Sequence, residues 1–170
     1  TDYMKLNETS VRLQTDTAYM NQTLPTSTVF SLGYNFTTNK NSETYIAYCF
    51  SEVAGYSKFG SFSGNADADG TFVYTGFKPA WTMIKSTDAT YNWVIQDTER
   101  FGGINSDASD KNLAANSNSV EPSSASFSGN QIDYLSNGFK LRSTAANTNG
   151  SNKYIYMAFA EFPFKYSRAR

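Results

Sequence analysis

The chain has 170 residues, 14 basic and 15 acidic side chains, a net charge of −1 and no histidine. That balance leaves no basic surplus for a phosphate backbone, so nucleic acid is not an expected partner. The missing imidazole removes Ser-His-Asp and Cys-His catalysis and any zinc site that depends on histidine.

Only 17% of residues are charged, while 16% are aromatic. Ser, Thr and Asn make up about a third of the chain, against a lower usual share. Aromatic residues favour strands, and small polar residues favour turns. No apolar run approaches the ~20 residues of a membrane helix, so no membrane partner is expected, and no signal peptide is visible. One cysteine cannot form an internal disulfide.

No segment places apolar residues at three- and four-residue spacing over three turns, so helix is not expected. Alternation and short apolar runs instead predict strands at residues 29–32, 44–52, 61–63, 71–77, 80–85, 92–97, 132–135, 139–143 and 153–162. "GNADADG" at 64–70 reads as the turn of a hairpin, and "STDATYN" at 86–92 as a second hairpin connection. Residues 102–130 are polar and weakly patterned, and read as a long loop.

The chain repeats itself. "YIAYCFSE" at 45–52 aligns with "YIYMAFAE" at 154–161, and each copy follows a Gly-aromatic strand and an Asn-rich turn. Each copy is therefore expected to be a hairpin around a central strand covered on both faces. In the second copy Ile155, Met157 and Phe159 form the larger face, expected to fill the space between two sheets. The smaller face, Tyr156, Ala158 and Ala160, would let another layer or chain approach. The first copy begins half over, and the chain opens on Thr1. The expectation is an incomplete first unit at residues 1–60 packing with a complete unit at 61–170 as one body, at the end of a longer array.

Glu52 and Glu161 close the two copies, and Asp97 and Glu99 sit beside Arg100 at another strand end. Paired carboxylates suit glycoside hydrolysis. A repeated fold also duplicates a structural acid, one paired with a cation such as Lys58 or Lys165, and that reading is preferred. Cys49 falls mid-strand and is expected to be a buried, inert thiol. Asn65, Asp67 and Asp69 follow the first half of a calcium-loop pattern, but Gly76 stands where that loop needs its bidentate acid. A calcium-bearing turn there is the weaker reading. Sequons occur at Asn7, Asn21, Asn35 and Asn149. Trp81, Tyr91, Trp93 and Phe101 are the candidate ligand-binding aromatics, because sugars stack on flat apolar rings.

The ordered motifs "GYSKFGSFSGN", "DGTFVYTGFKPAWTMIK", "NWVIQDTER", "LSNGFKLR" and "YIYMAFAEFPFKYSRAR" resemble a domain of unknown function in tailed-bacteriophage virion proteins. The resemblance runs from about residue 29 to the C-terminus and implies a virion-associated surface protein. It carries no catalytic or binding residues across.

Together these features predict an all-β, antiparallel, jelly-roll-like sandwich with two related hairpins. The expected function is non-enzymatic, without cofactor or catalytic residue: a tail-fibre or spike tip, or a capsid decoration, in the virion. Its expected partners are other virion proteins, further copies of itself and a host surface glycan. A purely assembling module is the second reading, and a glycan-cleaving tailspike domain the third.

Overall fold

The computed structural model describes residues 2–14, 17–100, 112–119 and 132–162. Every regular element among them is a strand: β1 Asp2–Tyr3, β2 Leu13–Gln14, β3 Ser57–Ser63, β4 Phe72–Tyr74, β5 Pro79–Ser86, β6 Val94–Asp97, β7 Leu113–Ala114, β8 Ile132–Leu135, β9 Gly138–Leu141 and β10 Lys153–Ala160. The chain divides into two compact units. One holds residues 1–5 and 12–50, the other residues 6–11 and 51–170. All of β3 belongs to the second unit.

In the first unit β1 and β2 form a two-stranded antiparallel ladder, with Asp2 opposite Gln14 and Tyr3 opposite Leu13. Tyr3 stacks on Tyr19 with ring centroids 4.1 Å apart. The strands expected at 29–32 and 44–52 are absent, and residues 43–53 are exposed throughout. A strand needs a neighbour to satisfy its alternate amides, and among the described residues the apolar run belongs to no ladder. Cys49 is consequently exposed, contrary to its expected burial.

The second unit is an all-β structure of two antiparallel sheets. The larger has the order β3-β10-β5-β6-β7, and the smaller β4-β9-β8. The core between them joins Ile84, Tyr154, Tyr156 and Ala158 of the large sheet to Val73, Tyr134, Phe139 and Leu141 of the small one, with Phe77. Burying each large apolar side chain stabilises by ~1.5–3 kcal/mol.

β10 is central, between β3 and β5, as the covered-strand reading requires. Its faces are reversed, however. Tyr154, Tyr156 and Ala158 point into the core, while Ile155, Met157 and Phe159 lie half-buried on the outer face. Local geometry explains the reversal. Gly60 sits opposite Tyr156, and a Cβ on it would meet the Tyr156 ring at 2.9 Å. Phe62 stacks on Tyr154 at 5.1 Å, and Phe139 meets Tyr156 edge-on at 5.5 Å. The glycine and the two phenylalanines make a socket for tyrosine rings on the inner side.

Two expected hairpins are also corrected. β3 and β4 lie in different sheets, as do β9 and β10. Both connections therefore cross from one layer to the other instead of turning back. Asn149 ties the two crossings together. Its Nδ2 donates to Asn65 Oδ1, the Asp67 carbonyl and the Ser143 carbonyl at 2.8–2.9 Å. The amide of Ala66 in turn donates to the Asn149 carbonyl. The hairpin expected across residues 86–92 is present, with Met83 opposite Ile95.

Candidate functional site

The outer face of the large sheet carries the most distinctive chemistry. Alternation along four strands sends Phe59, Met157, Met83 and Ile95 to this face, aligned across the sheet as Phe59–Met157, Met157–Met83 and Met83–Ile95 neighbours. The next row places Phe159 opposite Trp81, and Trp81 opposite Asp97. All of these side chains are half-buried. The apolar ones form a continuous row of half-buried side chains on one sheet face.

Phe159 is the hub. Trp81 and Tyr56 each approach it with ring centroids at 5.7 Å, and Phe59 meets it edge-on at 6.1 Å. Such tilted and edge-to-face geometries are the favoured ones for aromatic pairs. They hold the rings rigid, so little entropy remains to be lost when a ligand lies on them. Beside Trp81, Asp97 accepts from Arg100 Nε at 2.7 Å and from the Arg100 amide at 2.9 Å. The result is a rigid apolar floor with a carboxylate–guanidinium pair at its border.

Of the four aromatic candidates, only Trp81 belongs to this cluster among the described residues. Trp93 is 8% exposed, which closes its ring faces to a ligand in this conformation. Tyr91 is half-buried in the β5–β6 connection. Phe101 lies outside the described residues. Sequence reasoning missed Tyr56, Phe59 and Phe159 as site residues because it placed the Phe159 face between the sheets. Gly60 was the available signal: a glycine in a strand marks the close approach of another group.

The acids are committed elsewhere. Glu52 pairs with Lys58, and Glu161 with Lys78, each at 2.7 Å. Lys58 is one of the two cations the sequence offered; Lys165 lies outside the described residues. The Lys58 ammonium hydrogen bond holds the Glu52 carboxyl below its ordinary range, aided by the Phe59 amide. A glycosidase general acid needs the opposite shift.

The 64–70 loop satisfies its own oxygens. Asn65 Oδ1 accepts from the Asp67 amide, and Asp67 Oδ1 from the Asp69 amide. Asp69 pairs with Lys140 at 2.9 Å and Arg142 at 3.4 Å. Lys140 is the main cause holding the Asp69 carboxyl below its ordinary range. Two cations already at Asp69 oppose a third, so the arrangement disfavours a calcium ion. No group of three metal-ligating side chains occurs among the described residues. Asn149, in the last of the four sequons, is fully buried with its amide engaged, so it is closed to glycosylation in the folded state.

Residues 1–163 match the family described as a domain of unknown function, DUF7483. The chain belongs to this family. Neither the curated proteins nor the solved structures gave a match.

Proposed function

We propose that this chain is a non-enzymatic structural module on the surface of a bacteriophage particle, and that it engages host-surface carbohydrate through the outer face of its large sheet. The observation that carries the binding reading is the Trp81–Phe159–Phe59–Tyr56 cluster beside the Asp97–Arg100 pair. A pyranose ring presents apolar C–H faces that suit aromatic rings, and hydroxyls that suit a carboxylate and a guanidinium. The near-neutral charge and low charged fraction favour such contacts over electrostatic capture. Weak single sites gain strength when several copies act together on one surface. The virion assignment rests on the motif resemblance.

A panel of bacterial surface polysaccharides, displayed on an array, tests the binding reading. The purified chain is expected to retain a subset of them. Trp81→Ala is expected to lose that retention, and Tyr74→Ala, an exposed position on the small sheet, to keep it. A flat array for the wild-type chain removes the carbohydrate reading.

A specific observation favours assembly as a second reading. The exposed run at residues 45–49 has the sequence of a strand and belongs to no sheet among the described residues.

A further inference from the structure

β4 is an edge strand of the small sheet, with β9 on its inner side. Backbone bonds toward β9 come from the odd-numbered residues of this stretch. The Thr71 carbonyl accepts from the Leu141 amide, and the Thr75 amide donates to the Asn137 carbonyl. Val73 lies between them, opposite Phe139. Antiparallel alternation therefore turns the N–H and C=O groups of Phe72 and Tyr74 away from β9, to a side where no strand stands among the described residues. The side chains of the same two residues lie on the outer face of the sheet, Phe72 42% and Tyr74 64% exposed.

This edge carries none of the charge or proline that commonly guards one. From Gly70 to Phe77 the sequence is "GTFVYTGF". Four backbone groups turned outward and two exposed aromatic rings thus share one short, uncharged stretch.

That stretch is complementary to itself. When two copies meet antiparallel about a two-fold axis at Val73, Phe72 of each faces Tyr74 of the other. These are the residues whose backbone groups turn outward, so the two pairs exchange four hydrogen bonds, and Val73 takes the non-bonded position between them. Each pair also sets a phenylalanine beside a tyrosine on the outer face, a favourable cross-strand combination. Asp67 and Asp69 precede the stretch and Lys78 follows it. The antiparallel sense brings these flanks of unlike sign together, whereas a parallel sense would set like beside like.

We propose that β4 is a self-association edge: two copies join β4 to β4 across a two-fold axis, fusing their three-stranded sheets into one of six strands. The occupant is a second copy because the same residues supply donors, acceptors and register on both sides, and no charge within the stretch opposes its own image. The contact is isologous and closes as a dimer. It leaves the outer face of the large sheet unused, so the pairing stands whether or not that face binds carbohydrate.

Sedimentation of the full chain through a micromolar-to-millimolar series, without carbohydrate, tests it. The wild type is expected to pass from the 18.8 kDa monomer to a dimer, with hydrogen exchange at the Phe72 and Tyr74 amides slowing as the dimer forms. Phe72→Lys with Tyr74→Lys is expected to stay monomeric and to melt as the wild-type monomer does, since both side chains are exposed. Phe72→Glu with Tyr74→Glu is expected to do the same. An equal mixture of the two variants is expected to recover a one-to-one dimer, because each lysine then faces a glutamate. Thr90→Lys, exposed in the β5–β6 connection, is expected to dimerise like the wild type. A wild type monomeric throughout, a folded lysine or glutamate variant that still associates alone, a mixture that stays monomeric, or a Thr90→Lys chain that dissociates overturns the proposal. Where a charged variant fails to fold, the wild-type exchange decides: Phe72 and Tyr74 amides that exchange at the same rate at every concentration overturn the pairing. A flat glycan array beside a wild-type dimer would remove the carbohydrate reading alone.

Discussion

The hydroxyls of Thr82 and Tyr134 share a buried hydrogen bond of 2.7 Å that joins β5 of the large sheet to β8 of the small one. It is a polar rivet between the two sheets. Thr82 is 1% exposed and Tyr134 6%. Burial pushes the Tyr134 phenol well above its ordinary range, with the Thr82 bond opposing that shift. Tyr134→Phe removes one partner and leaves the Thr82 hydroxyl buried and unpaired, at an expected cost of about 1–3 kcal/mol. Thr82→Val combined with Tyr134→Phe removes both polar groups. Denaturant unfolding should show the double variant costing clearly less than the sum of the two singles. Strict additivity would mean that the bond does not couple the sheets.

Asn149 gives a second prediction, with a chemical signature. Its amide nitrogen faces three oxygens: Asn65 Oδ1 and the carbonyls of Asp67 and Ser143. Asn149→Ala is expected to lose about 2 kcal/mol by deleting these bonds. Asn149→Asp should lose more at neutral pH, because it turns a carboxylate oxygen toward acceptors with no proton to offer. That carboxyl would have its folded pKa raised above the unfolded value. Stability is then regained as pH falls through the raised pKa, where a protonated Asp can donate once more. Thermal melts of Asn149→Asp at pH 4 and pH 7 check the sign. A variant more stable at pH 7 than at pH 4, after subtracting the wild-type trend, contradicts the assignment.

How far these features were legible in the sequence differs from strand to strand. Most strands of the second unit were visible because their apolar residues alternate and glycines or asparagines end them; 132–135 coincides with β8, whereas β7 falls inside the run read as a loop. Layer assignment was not visible. Periodicity says that β10 has two faces, but which face is inner depends on what opposes it, and Gly60 and Phe62 decide that from 96 and 92 positions away along the register. The same limit hid the site, since Phe159 has the same apolar signature on either face. The crossings at 64–70 and 142–152 look like hairpin turns locally, and only Asn149, reaching across 84 residues, reveals them as passages between sheets. The run at 45–52 fails in the opposite sense. Its propensity for strand is plain, but propensity alone does not place a run in a ladder.

Asn112 supplies a prediction of opposite sign. It immediately precedes β7 and is 1% exposed, and among the described residues neither of its side-chain polar atoms has a hydrogen-bond partner. A buried amide without partners costs about 1–3 kcal/mol relative to an apolar group of similar size. Asn112→Leu is therefore expected to stabilise the fold, read as a higher denaturant midpoint with an unchanged slope. A loss of stability would mean that an ordered water satisfies this amide.

Lys85 makes stability depend on pH in a direction unusual for a lysine. The residue is fully buried on β5, and among the described residues its ammonium donates to the carbonyls of Ser86 at 2.8 Å and Ala89 at 3.2 Å. Burial lowers its pKa from 10.5 to about 8, with nearby Asp88 opposing the shift. The folded state therefore releases this proton more readily than the unfolded chain. Below pH 8 both states hold the proton, and the full penalty of a buried charge weighs on the fold. Between pH 8 and 10.5 the unfolded state binds more protons, so stability rises with pH. From pH 7 to 9.5 the gain is on the order of 2 kcal/mol. The raised phenols of Tyr134, Tyr154 and Tyr156 oppose this only above about pH 10, which sets the upper end of the experiment. Lys85→Met keeps the buried stem and deletes the charge. Urea midpoints at pH 7 and 9.5 should rise for the wild type and stay level for Lys85→Met, with the variant the more stable of the two at pH 7. A wild-type midpoint that is flat across this window, or that falls in step with the variant, would place the Lys85 ammonium in contact with water.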